Sequence, residues 1–240
     1  IGFLVLIDVK QNKRWSKLTP NSKLILSAIA TLNIVAFILI WLLEANNPLT
    51  LGSMNIGEQA MNAWFQATVP RSSGFNTIDT GSMEHSTTLL TMLLMFIGGG
   101  SLSTAGGIKV GTFVILLLCV ISFLRRNEEI RIFNHSVSQE TTYKALAVTA
   151  ITGMLVFIGC FTIFLLEPKL DVLDLMFEVV SAACTVGLSR GVTGELHDGS
   201  LFVLSLLMYT GRLGPLTLAY LIATPKKSRL KHANANIQIG

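Results

Sequence analysis

Charge is what this chain has least of. Asp, Glu, Lys and Arg together make up 13% of its 240 residues, against 51% hydrophobic residues. A soluble domain carries about 25% charged residues, and mean hydropathy here is +0.61, so that class is excluded. Cysteine is also scarce. Cys119, Cys160 and Cys184 all lie in apolar surroundings, which argues against a disulfide framework and offers no metal-ligand spacing. The order of a signal peptide is missing too. Ile1 to Ile7 are mostly apolar, and Asp8 and a basic run come after them rather than before. That order is expected of the cytoplasmic end of a preceding helix, and the chain reads as the later part of a longer protein.

Lys and Arg are absent from residues 44–58, 79–84 and 194–198. They gather instead in three places: Lys10 to Lys23, Arg125 to Lys144, and Lys226 to Lys231. Between these clusters lie windows of about 20 residues with almost no charge, enough to cross a hydrocarbon core about 30 Å thick. The expected class is an all-α integral membrane protein of the cell membrane, multi-pass, with the basic loops and the C-terminus cytoplasmic. Successive basic clusters on one side require an even number of crossings between them. A helix, a re-entrant loop and a second helix supply that. Nucleic-acid binding, the rival reading of a pI near 9.1, is set aside because the charges flank spans rather than forming one face.

Two polar strings interrupt the apolar pattern. Thr185-Val186-Gly187-Leu188-Ser189 sits between two apolar segments, and Ser72-Ser73-Gly74-Phe75-Asn76 lies upstream in the same context. Backbone without helix is tolerated at membrane depth only where it is buried in protein or lines a water-filled path. A Thr-x-Gly string there suggests oxygens replacing an ion's hydration shell. The string from Thr185 to Ser189 resembles the Thr-Val-Gly-Tyr-Gly filter of potassium channels. Gly74 and Gly187 are 113 residues apart (187 − 74), and so are Met95 and Met208 in the apolar segments that follow. A fixed offset at two places marks an internal duplication; the bland alternative is two unrelated hydrophobic hairpins.

Each copy is expected to run helix, half-helix, filter, helix. The boundaries are 1–20 for the end of a preceding helix and a basic loop, 21–126 for the first copy, 127–140 for a cytoplasmic connector containing a short helix, 141–225 for the second copy, and 226–240 for a tail. Residues 57–69 and 171–184 are too short to cross and fit half-helices that dip in and return. If their C-terminal ends point inward, the dipole favours a cation at midplane. Trp64 and Phe65 are assigned to packing. Residues 85–126 are too long for one crossing and are broken by Gly98-Gly99-Gly100-Ser101-Leu102-Ser103-Thr104-Ala105-Gly106-Gly107. Glycine disfavours helix by about 1 kcal/mol, so the break is expected to unwind and line the path below the filter as a gate. It lacks the Gly-Lys-Ser/Thr ending of a phosphate-binding loop; a helix-packing face is the structural alternative.

Arg212 falls inside the last span, at the repeat position of Gly99. An arginine at mid-membrane is unfavourable by about 2.5–3.5 kcal/mol, so it is expected to face a cavity or partner, and to act as a barrier to cations beside the break; a purely structural Arg is the alternative. Arg71 and Arg190 flank the filters and are expected to brace them from behind, with Glu178 a plausible partner for one. Lys109 starts the inner half-helix or reaches to the cytoplasm.

Pro70-Arg71-Ser72-Ser73-Gly74-Phe75-Asn76-Thr77, the run from Gly98 to Lys109, Phe177-Glu178-Val179-Val180-Ser181-Ala182, Thr185 to Leu188, and Gly211-Arg212-Leu213-Gly214-Pro215-Leu216 together resemble the Trk/Ktr/HKT superfamily of potassium transporters, most closely its bacterial KtrB-type membrane subunits. The likeness covers nearly the whole chain, in order. It implies four helix–pore loop–helix repeats forming a pseudo-fourfold pore, of which the last two are present here and an N-terminal half with two further repeats is not. It also implies K+ as the transported ion at Gly74 and Gly187, a gate at Gly98 to Gly107 with Arg212, no covalent cofactor, a homodimer in the lipid bilayer, and a cytosolic nucleotide-binding ring of RCK type as regulatory partner. Sodium as an activator is implied by the family alone.

The expected function is the pore-forming subunit of a potassium uptake transporter. A tandem-pore potassium channel is the alternative, and it would need an unbroken inner helix where residues 98–107 break it. A membrane enzyme built on Ser103, Glu195 or His197 is a third reading, and no nucleophile–base spacing supports it.

Overall fold

A computed structural model describes residues 2–100, 105–126, 129–133 and 135–214. After a short helix α1 (Phe3–Gln11) and a 3-10 turn, the chain enters α2 (Pro20–Glu44). Thr19 caps it by accepting from the Ser22 N–H, with Pro20 at the first helical position, where its missing N–H costs nothing. Asp8 fixes this corner by accepting from both the backbone N–H and the hydroxyl of Thr19. At 25 residues α2 is long enough to cross a bilayer, as is α6 (Gln139–Leu166) at 28.

The half-helices fall within a residue or so of the expected places. α3 (Ile56–Thr68) opens with a capping box: Asn55 accepts from the Glu58 N–H while Glu58 accepts from the Asn55 N–H. α7 (Val172–Ala183) opens on Asp171, which accepts from the N–H groups of Leu173 and Asp174. At 13 and 12 residues they extend less than 20 Å, at about 1.5 Å per residue. Carboxylates in their first turns favour the positive end of each helix dipole.

The inner helices are α4 (His85–Phe96), α5 (Val110–Leu124) and α8 (Asp198–Leu213). The expected last crossing, 199–224, is described only to Gly214; the basic tail, Pro215 and Leu216 lie outside the described residues. α7 is the hub. Phe177 packs with Ile40, Leu51 and Met95 in one core, and Val179 packs with Ile163, Leu204 and Leu207 in another. Trp64 lies edge-on to Phe37 at 5.8 Å and Phe65 packs against the first core, which are packing roles.

The connector differs from expectation. Before α6 begins at Gln139, its described residues hold an antiparallel hairpin, β1 (Arg131–Ile132) and β2 (His135–Ser136), and no helix of their own. Arg131 and Ile132 lie opposite Ser136 and His135, and a two-residue ladder satisfies the backbone of a segment too short and too charged to nucleate a helix. Cys119, Cys160 and Cys184 are free thiols.

Candidate ion pathway

The two polar strings meet. Ser72 donates its hydroxyl to the Thr185 carbonyl at 2.7 Å, a bond between residues 113 apart. A Cβ added to Gly74 would stand 3.1 Å from the Val186 carbonyl oxygen, and one added to Gly187 would stand 3.4 Å from the Gly74 Cα. The paired glycines thus face one another with bare backbone.

Their dihedrals repeat as well. φ is +69° at Ser72 and +70° at Gly74, then +52° at Thr185 and +87° at Gly187, while the intervening Ser73 and Val186 are not in the positive region. Positive φ thus recurs at the first and third positions of each string. For Ser72 and Thr185 this conformation is unfavourable, and it persists because neighbours hold it. Thr185 N–H bonds the Ala182 carbonyl and Val186 N–H bonds the Ser181 carbonyl, tying the second string to the end of α7.

Arg190 holds the same string from outside. Its Nε pairs with Asp174 Oδ1 at 2.5 Å. Its Nη1 donates to the Thr80 carbonyl at 2.9 Å and the Thr88 hydroxyl at 2.7 Å, and its Nη2 to the Gly81 carbonyl at 2.9 Å. The guanidinium therefore clamps the second copy to the first. Glu178, the expected arginine partner, takes the Arg190 backbone N–H instead, together with the hydroxyls of Ser189 and Thr193. Thr80 closes the seam by donating to the Ser189 carbonyl. Arg71 reaches Asn33 on α2 through Nη1, and its Nε and Nη2 have no hydrogen-bond partner among the described residues.

The glycine-rich break leaves α4 at Phe96 and rejoins α5 at Val110. Its ends are stitched together. Ile97 and Ile108 form a parallel bridge, the Gly98 N–H bonds the Ile108 carbonyl at 2.8 Å and the Val110 N–H bonds the Gly99 carbonyl at 3.1 Å. Ser101, Leu102, Ser103 and Thr104 of the expected gate lie outside the described residues; Gly98, Gly99, Gly100, Ala105, Gly106 and Gly107 are placed. Gly106 N–H donates to the Thr185 hydroxyl at 3.0 Å, so the break touches the second polar string directly. The approach leaves no room for a side chain: a Cβ on Gly106 would stand 2.4 Å from the Cys184 carbonyl oxygen. Lys109 bonds the Ala105 carbonyl.

Arg212 lies on α8 next to Gly211, where a Cβ would stand 2.1 Å from the Ala183 carbonyl oxygen. Arg212 lines a cavity of about 440 Å³ with Thr185 to Ser189 and Glu178, and its charge interacts with that of Lys109. The expectation that it faces a cavity is met.

Two carboxylates escaped the sequence reading. Glu44, at the end of α2, accepts from the Glu84 N–H at 3.0 Å, from Asn47 Nδ2 at 2.8 Å and from the Thr50 hydroxyl at 2.6 Å. Glu167, at the end of α6, accepts from the His197 N–H at 2.8 Å and the Ser200 hydroxyl at 2.7 Å, and pairs with His197 Nδ1 at 2.8 Å. Both are buried. Glu84 and His197 are the N-caps of α4 and α8 and stand one repeat apart. The Ser200 hydroxyl, the His197 N–H and the His197 ring hold Glu167 below the usual carboxylate range, at about 2. The signal was present: a lone Glu ends each long apolar run, but loops of unequal length put the two 123 residues apart (167 − 44), off the repeat.

Comparison with known proteins gives one answer. The family model for TrkH cation transport proteins matches residues 10–231. The Ktr system potassium uptake protein B of Bacillus subtilis (strain 168) is 40% identical over all of this chain and 54% of that protein. Its namesake in Vibrio alginolyticus is 37% identical over all of this chain and 53% of that protein. The potassium/sodium uptake protein NtpJ of Enterococcus hirae is 35% identical over all of this chain and 54% of that protein. The chain thus spans about half the length of these curated relatives. The crystal structure of the potassium transporter TrkH from Vibrio parahaemolyticus superposes with a TM-score of 0.76 at 20% identity, over 93% of this chain and 49% of that one, so the fold is shared. Two pore-loop units in tandem, the matching family model and full-length identity to the Ktr proteins agree: the chain is a membrane protein of the TrkH/Ktr family of cation transport proteins.

Proposed function

We propose that this chain supplies half of the pore of a potassium uptake transporter, in which K+ passes a ring of main-chain oxygens to which Ser72–Asn76 and Thr185–Ser189 each contribute one segment. The observation that carries this is the repeated dihedral pattern, positive at Ser72 and Gly74 and again at Thr185 and Gly187, in strings whose glycines face each other. Oxygens so arranged replace water around a dehydrated cation. The break from Gly98 to Gly107, with Arg212 beside it, is the gate below them. The parallel closure of that break does not suit the regular inner helix of a tandem-pore channel, and a transporter is favoured over an enzyme because the relatives are named for uptake.

The half-length match supports a further half carrying two repeats that completes the ring. The family resemblance adds that two such chains pair in the cell membrane and that a nucleotide-binding RCK-type ring docks on the cytoplasmic side, which the charge bias assigns to the basic loops and C-terminus. K+ is cargo, Na+ an activator, and no covalent cofactor takes part. The test is rubidium against sodium flux into liposomes holding the complete protein. Rubidium flux exceeding sodium flux is expected; equal flux of both, or none in folded protein, overturns the reading.

A further inference from the structure

Two cavities at the far end of α5 form one amphipathic site. The first, about 370 Å³, lies between α2 and α5 and is walled by Leu24, Leu32, Phe113, Val114 and Leu117. The second, about 490 Å³, is lined by Arg125, Arg126 and Arg131, with Ser122 and Glu129. They share two residues, Leu118 and Arg131. An apolar groove therefore runs directly into a nest of three guanidiniums. Glu129 is the one carboxylate lining it among the described residues, and it pairs with Arg131 at 3.4 Å, which leaves a net positive charge.

The depth fits a bilayer boundary. α5 is apolar to its last residue, with Phe123 81% and Leu124 74% exposed, and Arg125 and Arg126 follow at once. The groove is thus at hydrocarbon level and the guanidiniums at headgroup level. A soluble acidic partner would match the charge but would leave the groove unfilled. An acyl chain fills the groove, and a phosphate, with its planar bidentate fit to guanidinium, matches the arginines. Basic pockets between transmembrane helices are suited to anionic headgroups.

We propose that this site binds an anionic phospholipid, its acyl chain between α2 and α5 and its phosphate among Arg125, Arg126 and Arg131. The site ties α2, α5 and the hairpin β1–β2 together, since Ile132 and Phe133 also line the groove. The inference needs the membrane location of α5 and not the ion-filter reading.

Lipid binding to the complete protein, purified in detergent, is measured by native mass spectrometry with phosphatidylglycerol, phosphatidylcholine and glycerol 1-phosphate as probes. Phosphatidylglycerol is expected to be retained over phosphatidylcholine. Removing all three charges (R125Q, R126Q and R131Q together) is expected to weaken it on the order of 100-fold, about fivefold per arginine. L117W, which fills the groove and keeps the charge, is expected to weaken the lipid and leave glycerol 1-phosphate unaffected. If the triple variant does not fold, R126Q alone decides on its fivefold loss. Equal retention of the two lipids, unchanged retention by the charge variants, or glycerol 1-phosphate binding as tightly as the lipid overturns the proposal. No ion flux is read, so this result and the flux test stand separately.

Discussion

Replacing Arg190 tests how the string from Thr185 to Ser189 is held. Its side chain is 8% exposed and its partner Asp174 is 29% exposed, and three further acceptors belong to the first copy. Breaking a buried pair by removing one member costs about 3–5 kcal/mol, because the other charge is left uncompensated. Arg190→Ala is expected to lose about that much in a thermal or denaturant melt of detergent-purified protein. Arg190→Lys is expected to recover only part, since an ammonium cannot reproduce the planar fork. Glu167 is tested by acid. Its carboxylate sits at about 2 in the fold against an ordinary value of 4.5. A depressed value means the contribution is whole above the ordinary value and is lost as pH falls through the folded one. The melting temperature is expected to drop between about pH 4.5 and 2, and Glu167→Gln to flatten that drop. Arg212→Ala tests the proposed barrier: in protein that inserts normally, rubidium flux is expected to rise, and an unchanged or lower flux would count against a barrier.

Elements were legible where one physical rule set them. The long apolar runs and the two segments too short to cross fixed α2, α3, α6 and α7 closely, because length and burial leave little choice. The glycine-rich run placed the break but not its form. Nothing in Gly98 or Ile108 announces that the ends would pair as a parallel bridge, since pairing is a tertiary event. The connector was misread as helical for a related reason: Arg131 to Ser136 carry no period strong enough to choose, and the hairpin is settled by its own ladder. Close approach gives an element-scale test. Gly211→Ala would drive a methyl to 2.1 Å from the Ala183 carbonyl oxygen, while Gly153, within α6, has nothing within 4 Å. Gly211→Ala is expected to separate α8 from the end of α7 and lower the yield of folded protein sharply on size-exclusion chromatography. Gly153→Ala is expected to leave yield and elution unchanged.

At the scale of the whole molecule the duplication was the most legible feature. An offset of 113 residues read from two glycines reappears as a hydrogen bond from Ser72 to Thr185 and as matched dihedrals at both strings. What the offset could not carry is whatever crosses between copies or lies in loops of unequal length. The Arg190 clamp and the Glu44 and Glu167 latches are of that kind. Each latch fastens an outer helix to the start of the inner helix of its own copy, so each copy is closed on itself as well as joined to the other at Thr80, Thr88 and Ser189.

The stitched ends of the glycine-rich break have a mechanical consequence. With Ile97 held to Ile108, displacement of the segment between them need not tilt α4 or α5. If the proposed gate opens in this way, the pore keeps a constant outline in the lipid, and a constant outline gives membrane tension and bilayer thickness little to act on. Permeation should therefore be nearly indifferent to stretch and to acyl-chain length.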